Sequence, residues 1–88
     1  MKHASHAQIV KRLRRAEGHL RSILSMFEEE RSCVDLAQQL HAVEKAVASA
    51  KRELIHDHIE HCLEEPSVAN PRGTRNSLAE LKTLTKYL

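Results

Sequence analysis

An all-α fold is predicted, a three-helix subunit that lies antiparallel against a second copy of itself, and three observations carry that prediction. Apolar residues recur at steps of three and four along most of the chain, the spacing that gathers them on one helix face. Neither Gly nor Pro interrupts the stretch between Arg31 and Glu65, so one helix can run through it. Only two aromatics, Phe27 and Tyr87, are present, which leaves a core of Leu, Ile, Val and Ala. Eighty-eight residues make a single domain, 1–88, and helical hairpins of this size often depend on oligomerisation for stability.

Residues 1–5 read as a flexible tail, and Ser5 is placed to cap a helix beginning near His6. That helix carries a seam of Ile9, Leu13, Ala16, Leu20, Ile23 and Phe27, a heptad pattern suited to antiparallel bundles. Val10 and Leu24 widen the stripe. Gly18 interrupts it at a cost of about 1 kcal/mol against Ala, which close approach of another helix would explain. Glu28, Glu29 and Glu30 follow. Acid is unfavourable at a helix C-terminus, so Glu30 is expected in the turn. Ser32 is the expected cap of the second helix, with Asp35 completing a capping-box-like start. Its seam runs through Cys33, Leu36, Leu40, Val43, Val47, Ala50 and Leu54 and, continued in steps of four, reaches His58 and Cys62. Pro66 ends the helix, residues 66–75 read as a loop, and Asn76 or Ser77 is expected to cap a last helix striped by Leu78, Leu81, Leu84 or Thr85, and Leu88.

Two cysteines and a histidine carry the chemistry. His58 and Cys62 are four apart and share one helix face. Cys33 precedes His58 by 25 residues, roughly 37 Å along a single helix at 1.5 Å per residue. These donors can meet only if a second copy runs antiparallel, so that Cys33 of one chain faces His58 and Cys62 of the other. Two thiolates and an imidazole select soft or borderline ions. Three donors suit trigonal Cu(I); a fourth, from His3 or His6, would suit Zn(II) or Ni(II). His41, His56 and His61 read as solvated, and His19 as structural or DNA-facing. The rival chemistry is a thiol sensor, in which Cys33 and Cys62 join as a disulfide or polysulfide; His58 argues against it, because that chemistry needs no imidazole. A structural zinc dimer that does not bind DNA is a further alternative.

The net charge is only +2, but it is unevenly spread. Lys11, Arg12, Arg14 and Arg15 form a block on the first helix, and Lys45, Lys51 and Arg52 a second group on the next. Together they could form a phosphate-binding surface, although an ordinary solvated face has the same composition. No helix-turn-helix recognition unit, Gly-rich loop or aromatic stacking platform accompanies them. No apolar run approaches the roughly 20 residues of a membrane span, and no signal-peptide core is present. A cytoplasmic location, where thiols stay reduced, is expected, and there two cysteines point to metal or redox chemistry. No general-base constellation suggests an enzyme.

The segments RRAEGHLRSI, SCVDLAQQLHAVEKAV and ELIHDHIEHC resemble the copper-sensitive operon repressor family, which also contains nickel/cobalt, formaldehyde and persulfide sensors. The likeness runs from about Gln8 to Leu88. It implies three-helix subunits, an antiparallel dimer, a tetramer built as a dimer of dimers, and a repressor that leaves operator DNA when its effector binds. By position it implies Cys33, His58 and Cys62 as Cu(I) ligands, with Ni(II) the alternative effector. It also implies Glu80 as a carboxylate behind the ligand shell, and Arg12 as a DNA contact. Ser32 stands where copper sensors often have a Tyr. A second DNA-contacting Arg of the family falls on Ser49, so Lys51 or Arg52 would have to substitute. The N-terminal His of nickel and cobalt members falls on Met1, so His3 or His6 would have to act from a shifted register.

Overall fold

The computed structural model describes residues 5–64 and 71–88, with side chains at 5–61 and 78–88. Among these residues the chain forms α1 (His6–Glu28), α2 (Cys33–Glu64), α3 (Pro71–Leu84) and a closing 3₁₀ turn (Thr85–Tyr87), with no strand. The subunit is all-α, as predicted.

Ser5 holds the N-cap position of α1, but its hydroxyl makes no capping hydrogen bond. The helix ends in a Schellman motif: the Arg31 N–H donates to the Met26 carbonyl (3.1 Å) and the Glu30 N–H to the Phe27 carbonyl (3.2 Å). Glu30 takes the left-handed conformation this motif requires, with φ of 56°, a position where Gly is the usual residue. Ser32 then starts α2, its Oγ accepting from the Asp35 N–H at 3.1 Å. The expected turn and cap are both present.

α1 and α2 form an antiparallel hairpin. Ile9, Ala16 and Ile23 from α1 and Leu36, Val43 and Ala50 from α2 are buried, each set in strict steps of seven, and Ile55 of α2 is buried outside that series, at 1% exposed. Only half of the predicted seam is therefore core within one chain. Leu13, Leu20, Phe27, Leu40, Val47 and Leu54 are all exposed. Heptad spacing marks an apolar stripe two residues wide, and a single hairpin contact covers one edge of it. Gly18 has nothing within 4 Å of where a Cβ would lie, so packing within the chain does not account for it.

α2 runs unbroken for 32 residues, about 48 Å. Among the described residues, α3 packs against α2 and not against α1. It begins at Pro71, earlier than expected: the second half of the loop predicted over residues 66–75 and the caps predicted at Asn76 or Ser77 are overtaken by helix. Proline is favoured at a first helical position, where its missing N–H has no intrahelical partner to lose. The first half of the predicted loop, like the tail residues 1–4, lies outside the described residues.

Candidate functional site

The long helix separates its soft donors. Cys33 is the first residue of α2 and is exposed. His58 sits near the other end, its side chain only 16% exposed. The uninterrupted helix between them keeps them tens of ångströms apart. Cys62 lies in the last turn of α2; its side chain and all of His3 lie outside the described residues. Among the described residues, no group of three or more His, Cys, Asp and Glu converges as a metal site within the chain.

What does gather around the end of α2 comes from all three helices. From α3, Glu80 Oε2 reaches to 3.8 Å from His58 Nε2. From the first turn of α1, His6 Nε2 lies 4.0 Å from Asp57 Oδ2, one residue before His58. The antiparallel hairpin puts the start of α1 beside the end of α2, which brings His6 to the same end as His58. Asp57 was not among the sequence candidates; its signal is the stripe Ser49, Glu53, Asp57 at steps of four along α2.

The predicted basic residues divide between faces. Arg12 and Arg15 line a groove of about 270 Å³ with Ala16, His19, Ala46 and Ser49. Arg52 joins this side by donating from Nη2 to Ser49 Oγ at 3.2 Å. His19 Nε2–H donates to Gln39 Oε1 across the hairpin, which fixes the ring at one end of the groove. Lys51 instead lines a separate apolar depression with Ile9, Leu13, Val47, Ala50 and Leu54. Lys11 and Arg14 are exposed and outside both. Arg12 is already engaged: its Nη1 lies 2.9 Å from Glu53 Oε2, another partner that the sequence reading did not single out. Among the described residues, no helix is long and apolar enough to cross a membrane.

Comparison with known proteins gives the family. The copper-sensing transcriptional repressor RicR of Mycobacterium tuberculosis is 39% identical over 70 residues, 80% of this chain and 73% of that protein. The copper-sensing repressor CsoR of Bacillus subtilis is 43% identical over 56 residues, 64% of this chain but only 55% of its own length. The solved structure of the nickel-responsive transcriptional regulator InrS matches with a TM-score of 0.79 at 31% identity, covering 99% of this chain and 96% of that one. The family model for metal-sensitive transcriptional repressors matches residues 5–87. With that span and those relatives, the chain belongs to the metal-sensitive transcriptional repressor family, a family of regulators and not of enzymes.

Proposed function

We propose that this chain is a Cu(I)-responsive repressor whose sensing site is completed only between two copies. The observation that carries the reading is the exposed stripe on α2. Leu40 and Leu54 each stand seven residues from Val47, and all three are exposed. In an antiparallel pair centred on Val47, Leu40 meets the partner's Leu54. Cys33, 14 residues before Val47, then falls opposite the partner's segment from His58 to Cys62. The register that covers the apolar stripe is thus the register that assembles the donors, and the twofold axis makes two sites. A dimer of dimers is the assembly we propose, and cytosol, which keeps thiols reduced, the compartment.

The donor set fits the ion: two thiolates and one imidazole suit Cu(I), which accepts three soft ligands. A Glu80 carboxylate on His58 Nε2 would place the ring proton there and present Nδ1 as the donor. Cys33, His58 and Cys62 held in one site clamp two α2 helices in one register. Repression is relieved if that clamped state binds operator DNA less well than the free one, a difference in affinity that the effector must feel equally. The copper-sensing names of RicR and CsoR support this choice.

A second reading, Ni(II) sensing, is favoured by His6, which lies beside Asp57 at the His58 end and could supply a fourth donor; the neighbour InrS is nickel-responsive by name.

Anaerobic titration of the reduced protein with Cu(I) and with Ni(II) decides between them. Cu(I) binding far tighter than Ni(II) is expected. Square-planar Ni(II) charge-transfer bands lost in His6→Ala would overturn the copper choice. Mixing Cys33→Ser with Cys62→Ser chains tests the shared site. Random pairing restores about a quarter of the wild-type sites if the donors come from two chains, and none if they come from one. A His58→Ala protein that still responded fully would favour thiol chemistry between Cys33 and Cys62.

A further inference from the structure

We propose that Glu53 is a built-in competitor for the phosphate that Arg12 would hold, and so sets how tightly this repressor binds DNA; the proposal rests on the reading of the Arg12 groove as a DNA face. Three observations lead to it. Arg12 and Arg15 line the same groove beside Ser49, yet among the described residues Arg12 is in an ion pair and Arg15 in none. The Arg12–Glu53 contact is short, 2.9 Å from Nη1 to Oε2, with the Glu53 side chain 30% exposed. The Oε2 atom itself is shut off from water.

Arg12 covers that oxygen itself, and with side chains 53% and 30% exposed the pair is a part-exposed one of modest strength. When Arg12 swings to a phosphate, Glu53 Oε2 loses its cation and is rehydrated only in its place, a modest cost. Glu53 also places a negative charge beside the phosphate that replaces it. Both effects weaken DNA binding, and both act through one guanidinium.

Glu53 thereby divides the groove into an immediately available cation, Arg15, and a restrained one, Arg12. The restrained cation engages only where the duplex offers enough other contacts to draw it off its carboxylate. Removing the carboxylate should help a poorly matched duplex most, because that duplex supplies the fewest other contacts.

The test uses the reduced, metal-free full chain and a fluorescein-labelled duplex of arbitrary sequence, followed by anisotropy across a salt series. Glu53→Gln and Glu53→Ala should each tighten binding about three- to tenfold at low salt and steepen the log–log salt slope by about 0.9, one extra phosphate contact. The gain should vanish in an Arg12→Ala background. Glu17→Gln removes the same charge from an exposed pair with Arg21 and should change affinity less than about twofold. Circular dichroism confirms that each variant keeps its helices. Unchanged or weaker binding by both folded Glu53 variants overturns the proposal, as does a gain that survives without Arg12. If the wild-type chain shows no salt-dependent binding to duplex DNA, the DNA reading falls and this proposal with it. If the wild type binds and Arg12→Ala weakens it while Glu53→Gln does nothing, only the role of Glu53 falls.

Discussion

One flank of the α1–α2 hairpin is stitched by polar pairs that begin and end within the chain: Arg12 with Glu53 and His19 with Gln39. The opposite flank carries Leu13, Leu20, Leu40, Val47 and Leu54, each between 40 and 44% exposed. The first flank pairs its own groups across the hairpin and leaves Arg15 at the edge of a groove. The second leaves a row of large apolar side chains half-covered. An uncovered row of this kind is what the proposed pairing of two copies would cover, whereas scattered exposed leucines would call for no partner. The same two helices thus present one polar-paired face and one apolar, half-covered face. The proposed donors Cys33 and His58 follow the second pattern, because the helix between them keeps them apart within one chain.

A charge at Val47 tests this contrast most severely. In the proposed pair Val47 lies at the twofold axis, so Val47→Glu would bring two carboxylates together in a desolvated centre. Like charges so placed cost several kcal/mol, on the order of 3–5, and sedimentation should show a monomer at micromolar concentration. Arg15→Glu, on the polar flank, should leave the assembly intact while weakening DNA binding. A Val47→Glu protein that stays dimeric would show that the apolar flank is not the interface.

The next test separates core from interface within one helix. Ile23 is 2% exposed and Leu20 is 44%, although they are neighbours in the same heptad seam. Ile23→Ala should cost about 2–5 kcal/mol, at any protein concentration. If the proposed assembly covers Leu20, the deficit of Leu20→Ala should grow with concentration and fade on dilution. Thermal melts at several concentrations distinguish the two; identical concentration dependence would erase the distinction between the flanks.

At the end of the hairpin, Glu80→Gln probes how α3 reports on His58. A carboxylate that orients a ligand histidine is worth about 10–100-fold in metal affinity, and competition titration with a Cu(I) chelator measures it. An unchanged affinity would detach Glu80 from the site.

The helices themselves could be read from residue spacing, because heptads, the Ser32 cap and the unbroken run to Glu65 are local signals. The division of each heptad between two surfaces could not. Ile23 and Leu20 are equally apolar, and only the crossing of two helices decides which is covered. The start of α3 was hidden because Pro71 and Gly73 are as common in loops as at helix beginnings. The separation of Cys33 from His58 followed from counting residues, whereas the partners of Arg12 and His6 did not. Glu53 and Asp57 are distant in sequence, and the hairpin register set at Glu30 and Ser32 determines what they meet. Pairings across a hairpin are a property of that turn and not of either helix.

Gly18 belongs to neither flank, and that makes it a sensitive reporter. Its Cβ position is open, and its carbonyl accepts from Ser22 Oγ at 3.3 Å, an ordinary exposed-helix contact. Glycine in a helix interior costs about 0.5–1 kcal/mol against alanine through backbone entropy. If α1 presents this face to solvent in the assembled protein, Gly18→Ala raises Tm by about 2–8 °C for a domain of this size. A fall in Tm would mean that the added methyl meets another copy. That outcome would place a second interface on the outer face of α1, distinct from the apolar flank, where two dimers could join.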